Sequence, residues 1–194
     1  MALAGAAPGV SDPRTRILDA ALALMSDQGF AGTSMRQLAG ACELNVATLY
    51  HYFPSKADLL QSVIEERRYG ERLATDVPVL NPSTSPRDRL AGLLEWLWTN
   101  ALDEEAVWRL LIGESVRGEE AAAESATEVV NALALALEGW LTDGFPELSG
   151  DRGALARVIR GQVFALVVEH LALGAVTPAV ARQRARELAA VVFP

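Results

Sequence analysis

The stretch that most constrains the fold is Thr33 to Lys56, TSMRQLAGACELNVATLYHYFPSK. It reads as two short helices, a tight turn between them and an aromatic exit into a third helix. Ser34 is an N-cap, and Gln37 three residues later closes a capping box. Met35, Leu38 and Ala39 then share one helical face. The turn is Ala41-Cys42-Glu43-Leu44, and Asn45 caps the next helix. With Leu49 at zero and a step of about 100° per residue, Val46, Tyr52 and Phe53 face largely inward. Ala47, Thr48, Tyr50 and His51 face the other way. That outer face carries no acid, and it suits close approach to a surface rich in hydrogen-bond acceptors. Two helices meeting steeply across a short turn make a helix-turn-helix, whose second helix lies in the major groove of DNA.

Thr33, Ser34, Met35, Arg36, Leu38 and Ala39, then Ala47-Thr48-Leu49-Tyr50-x-Tyr52-Phe53 and Ser55-Lys56-x-x-Leu59-Leu60, resemble the DNA-binding domain of the TetR family of bacterial transcriptional regulators. Two positions depart from the family pattern. Glu43 stands where the family usually has Gly, so a residue with a Cβ must tolerate the backbone of the turn. Val46 stands where the family often has a polar or basic residue, which leaves only an apolar graze with DNA there.

The resemblance implies an all-α protein of about nine helices. A three-helix helix-turn-helix domain at the N-terminus is joined by helix four to a C-terminal helical domain for ligand binding and dimerisation. The reading divides the chain into a disordered lead at 1–10, the DNA-binding domain at 11–57 and the effector-binding and dimerisation domain at 58–194. On the DNA side, Arg36 should reach a base or phosphate at the groove edge. Asn45, Ala47, Thr48 and His51 should lie at the groove floor or wall, with Val46 at its margin. Tyr50, Tyr52 and Lys56 should hold phosphates, with Ser34 or Thr33 adding hydroxyl and backbone donors. Lys56 sits in the first turn of helix four, where a helix N-terminus favours an anion.

A net charge of −8 looks wrong for a DNA binder, so its distribution matters. Residues 11–56 hold four bases and four acids, and the whole surplus of acid falls after Lys56. A neutral DNA-binding segment gains little from phosphate neutralisation. Binding should therefore rely on a dimer and a specific site. With 51% apolar residues the chain has ample material for a core. A single cysteine, Cys42, excludes an intramolecular disulfide and a CxxC metal site, and it reads as a small buried residue of the turn. No signal peptide or membrane-length apolar run is visible, so a soluble cytoplasmic protein without membrane contact is expected.

Along the chain, Asp12-Pro13 opens helix one and Gly29 closes it, with Phe30 packing back. Helix four starts with the Ser55-x-x-Asp58 box and carries Leu59, Leu60, Val63, Ile64 and Leu73 to about Asp76. Val77 to Ser85 is a loop. Helices follow from Pro86, from Asp103, from Gly118 to about Asp143 with Gly144 as cap, from Asp151 to Leu173, and from Thr177 onward. The eighth helix is apolar nearly all round, so it needs cover on several sides. Val158, Gly161, Ala165, Val168 and Ala172 there, with Leu188 and Val191 on the ninth, are the candidate dimer interface. The resemblance makes these two helices half of a four-helix dimer bundle. Such a two-fold dimer reads a pseudo-palindromic operator.

An effector pocket is typically apolar with a few placed polar groups. Trp98, Trp108, Trp140, Gln162 and Glu169 are the candidates, while His170 reads as a hydrogen-bonded or dimer-seam histidine rather than a ligand contact. The functional reading is a homodimeric repressor that binds double-stranded operator DNA and is released by a small-molecule effector, without a cofactor or metal. A second reading is a relative that has lost the effector or DNA binding and acts through protein contacts. A third is a small helical enzyme. Only two histidines, one cysteine and no glycine-rich phosphate loop speak against catalysis.

Overall fold

The computed structural model describes residues 12–66, 79–174 and 176–194. Among the described residues there are nine α-helices and no strand. The chain divides into two compact units, Met1–Arg67 and Arg68–Pro194.

In the first unit, α1 (Pro13–Gly32) and α4 (Lys56–Glu66) pack together, and α2 (Met35–Ala41) and α3 (Val46–Tyr52) pack on each other and on α1. The core is made by residues at helical spacing: Ile17, Leu18, Ala21, Leu22 and Met25 of α1, Leu38 of α2, Leu49 of α3, and Leu59, Leu60, Val63 and Ile64 of α4. The division after α4 falls ten residues beyond the boundary that the motif suggested, because α4 buries its apolar face here against α1. Leu73 and the expected end of helix four near Asp76 lie outside the described residues, as does the lead at 1–10.

Helix starts follow local capping. Ser34 accepts from the Gln37 N–H and Gln37 accepts from the Ser34 N–H, the reciprocal box. Asn45, Ser55, Ser85, Asp151 and Thr177 each accept from the N–H three residues on. Asp12 makes no side-chain cap, so Pro13 at the first helical position opens α1 by its fixed φ instead. Gly29 takes φ 81 and breaks the regular helix, which lets Phe30 turn back.

In the second unit, α5 (Pro86–Asp103) lies against α8 (Arg152–Leu173) and α9 (Pro178–Val192). Helix α6 (Glu105–Val116) lies against α7 (Glu120–Gly144), which in turn lies against α8. Gly144, expected as the cap, is instead the last helical residue, and a Cβ there would run into Leu80. Arg89, buried, donates to Glu147 at 2.7 Å and to Thr84 O at 3.2 Å and lies over the Phe145 ring. Phe145 stacks on Phe193, so the apolar C-terminal end is partly covered within its own chain. No described helix is long and apolar enough to cross a membrane.

Candidate nucleic-acid interface

The recognition element starts at the turn. Helix α2 ends in a Schellman motif: Leu44 N–H donates to Ala39 O at 2.8 Å and Glu43 N–H to Gly40 O at 3.1 Å. Glu43 occupies the left-handed position, with φ 56, where glycine has no steric penalty. So the turn keeps the geometry glycine would give, and the glutamate carries the strain.

Helix α3 then presents its face. Leu49 and Phe53 are buried and fix its inner side. Ala47 and His51 are exposed, Tyr50 is 48% exposed, and Thr48 and Val46 are half-buried. Asn45 is exposed, but its Oδ1 accepts from both the N–H and the hydroxyl of Thr48. The amide nitrogen of Asn45 is thus turned outward with its cap intact. Tyr52 was placed largely inward by the helical wheel. It is 37% exposed and sets its ring edge-on to His51, because α3 ends there and Phe53 takes the inner position. That exposure suits its other expected role, at a phosphate.

Two expected phosphate donors are committed inside the protein. Thr33 is buried, its hydroxyl donates to Gly29 O at 2.8 Å and its N–H to Phe30 O at 3.3 Å. Lys56 donates to Phe30 O at 2.6 Å and Thr33 O at 2.9 Å, with its ammonium 4.2 Å from the Phe30 ring centroid. Ser34 is exposed, yet its hydroxyl and N–H both serve the box with Gln37. Arg36 is exposed on α2. Arg16 was missed by sequence reasoning: it donates to Cys42 O at 2.7 Å, a contact 26 residues away that no local pattern reveals. Burial pushes the Cys42 thiol up, with Arg16 opposing, so the cysteine is a buried part of the turn as expected.

In the second unit, Trp98, Trp108 and Trp140 are buried on α5, α6 and α7, and Trp140 packs edge-on against Trp96. The Trp98 indole N–H is buried and meets no acceptor. Gln162 and Glu169 do not join them. Gln162 is exposed beside Val158 and Ala165. Glu169 is held by Arg184 of α9 through two bonds of 2.6 and 2.8 Å, which depress its pKa below the usual carboxylate range. His170 faces Val176 O at 3.2 Å and Glu105 at 3.3 Å, so it ties the start of α6 to the end of α8. Along α8 an apolar strip stays uncovered: Val158, Gly161, Phe164, Ala165, Val168 and Ala172 are exposed, as is Val191 on α9, while Leu188 is half-buried.

A neutral helix-turn-helix followed in the chain by a larger helical unit is the arrangement of a DNA-binding regulator. Comparison with known proteins agrees. Residues 17–63 match the sequence model of the family described as bacterial regulatory proteins, tetR family. The HTH-type transcriptional repressor KstR of Rhodococcus jostii is 34% identical over 148 residues, 75% of this chain and 66% of KstR. The HTH-type transcriptional regulator UidR of Escherichia coli K12 is 45% identical over 51 residues, 26% of each protein. The chain thus spans about two thirds of one relative and about a quarter of the other. Among solved structures, a TetR transcription regulator from Haloarcula marismortui superposes with TM-score 0.74 at 19% identity, covering 94% of this chain and 98% of the other. Salmonella enterica GusR does so with TM-score 0.67 at 24% identity, covering 93% and 95%. At those identities the structures speak for the fold. The chain belongs to the TetR family of bacterial regulatory proteins.

Proposed function

We propose that this regulator is a homodimeric repressor that binds a pseudo-palindromic operator and is released by a small molecule bound in its second unit. The observation that carries the DNA side is the acid-free outer face of α3, where Ala47, Tyr50 and His51 stand exposed on a helix fixed by Leu49 and Phe53. Base contacts come from Ala47, Thr48, His51 and the Asn45 amide, with Val46 grazing the edge. Phosphate contacts come from Tyr50, Tyr52 and Arg36. Base contacts specify and phosphate contacts position.

The exposed strip on α8 supports dimerisation. Val158, Gly161, Ala165, Val168 and Ala172 repeat at three and four, and the small residues admit a second helix closely. Leu188 and Val191 of α9 extend the seam. For the effector, Trp98, Trp108 and Trp140 supply apolar walls, and the unmatched Trp98 N–H supplies a donor for an acceptor-bearing ligand. Helix α4 is the last helix of the DNA-binding unit before the second unit begins in sequence, and a tilt of α4 on effector binding would change the spacing of the two recognition helices. The effector works only through its differential affinity for the bound and released arrangements. A dimer of this kind acts in the cytoplasm.

Fluorescence anisotropy with DNA from just upstream of the protein's own gene tests the reading, with a scrambled duplex as control. Saturation at two subunits per site, lost on the scrambled duplex, is the expected result. If duplexes selected from a random pool bind no better than scrambled DNA at low salt, the repressor reading is wrong.

A further inference from the structure

Three of the four basic side chains of the DNA-binding unit up to Lys56 are half-buried, and two of them end on backbone carbonyls. Lys56, the first residue of α4, reaches Phe30 O and Thr33 O. Thr33 directly precedes Ser34, the N-cap of α2. Arg16, on α1, reaches Cys42 O, and Cys42 is the C-cap of α2. The two cations therefore grip α2 at its two ends, one from each flanking helix.

The chemistry suits this use. The carbonyls at a helix C-terminus lack intrahelical donors and carry the negative end of the helix dipole. Phe30 O lies just past the Gly29 break at the end of α1, where it also accepts from the Thr33 N–H, and Cys42 O lies at the end of α2. An ammonium carries three donors, and Lys56 spends two of them here, with its charge set against the Phe30 ring. The return contact from the Cys42 thiol to Arg16 O at 3.7 Å closes the second grip.

We infer that Lys56 and Arg16 are positioning residues that clamp α2 between α4 and α1, and so aim α3 at DNA, rather than ligands of the phosphate backbone. The inference rests on the DNA-binding reading for its consequence, and on the contacts alone for its geometry. Of the four bases only Arg36 is then left exposed, so the wild-type dimer should neutralise about two phosphates through cationic side chains. Its log affinity should fall with log salt at a slope of about −2, against about −7 if all four bases of both subunits met phosphates.

Two measurements test this. Lys56 is the single lysine of the chain, so lysine labelled with ¹⁵N gives one side-chain ammonium signal. In the full-length protein without DNA, that signal should be present and slow to exchange. An ammonium that exchanges too fast to be seen until DNA is added would overturn the clamp at Lys56, whether or not the chain proves to bind an operator. The second measurement is the salt dependence of binding to a selected duplex. Lys56→Met and Arg16→Met should each weaken operator binding at least tenfold with the slope unchanged. Lys56→Arg and Arg16→Lys, which keep a donor at each carbonyl, should restore most of the affinity. A slope shallower by about 1.8 in either Met variant, the loss of one phosphate contact per subunit, would assign that residue to the backbone of DNA instead. If the wild type selects no duplex, the repressor reading fails, and the ammonium signal still decides the clamp.

Discussion

Replacing Glu43 tests whether the recognition turn is strained. With φ 56, Glu43 holds a conformation that costs an L-residue about 1–2 kcal/mol. Glycine at that position removes the cost. Against this, glycine loosens the unfolded chain by about 0.4–1 kcal/mol. The difference leaves Glu43→Gly more stable by about 0.5–1 kcal/mol. For a unit the size of Met1–Arg67 that is a rise in melting temperature of about 2–8 °C. All four tryptophans fall after residue 67, so their fluorescence follows the second unit while circular dichroism at 222 nm follows both. The gain should therefore appear in the dichroism transition and not in the fluorescence. Glu43→Ala and Glu43→Gln keep the Cβ and should show no gain, and Glu43→Asn should fall between, since Asn tolerates the left-handed region. Glu43→Gln also isolates the charge: it should raise affinity for every duplex, because an acid beside the groove has been removed, without moving the melting temperature. If Glu43→Gly melts no higher than Glu43→Ala, the strain argument is wrong.

The remaining predictions concern the second unit. Val168→Asp sets a carboxylate in the proposed dimer seam, where an unpaired buried charge costs about 3–5 kcal/mol; sedimentation should show a dissociation constant at least a hundredfold higher with tryptophan fluorescence unchanged, and a dimer of wild-type strength would remove α8 from the interface. Arg89 is buried while Glu147 is largely exposed, so Glu147→Gln, which leaves a buried guanidinium charge unmatched, should lower the urea midpoint more than Arg89→Met, which leaves a carboxylate that water can reach; the reverse order would contradict this. Hydrogen bonds from Arg109, Arg89 and Arg184 hold the carboxyls of Glu105, Glu147 and Glu169 below the usual range. Folded pKa values lower than the unfolded ones mean that stabilisation is in full force at neutral pH and fades as pH falls through the folded values. The second unit should thus lose stability below the ordinary glutamate range, and Glu169→Gln should flatten that loss in urea titrations across pH.

What could be read from the sequence is what is local. Capping depends on partners three residues apart, and Ser34, Asn45, Ser55, Ser85 and Thr177 cap as their spacing implies, whereas Asp12 does not. The buried stripes of α1 and α4 follow from period alone. What escaped depends on partners that the chain brings from a distance. The helical wheel gives Glu169 an azimuth, but not the Arg184 that waits there on the next helix. It gives Lys56 a place in the first turn of α4, but not the carbonyls 23 and 26 residues back. Both residues were read as ligand contacts because a charged side chain in a motif invites an external partner, and both find an internal one. Tyr52 escaped for another reason: at the last residue of a helix the next turn no longer exists to cover it.

An acid-free but nearly uncharged reading face has a consequence for release. Strong phosphate neutralisation would hold a displaced repressor on any DNA nearby, because that part of the affinity ignores sequence. With Arg36 the one exposed cation of the four up to Lys56, each half of the proposed dimer would bind its half-site mainly through shape and hydrogen bonds. Each half alone would then be feeble, and tight binding would come from the second half-site, reached as an intramolecular step at high effective concentration. That gain vanishes when the two recognition helices no longer match the half-site spacing. A modest shift of α4 would suffice to break the match, and the freed protein would have little charge with which to linger. The low salt slope and the two-subunit stoichiometry are thus one claim seen from two sides. A steep slope in a monomeric binder would refute both together.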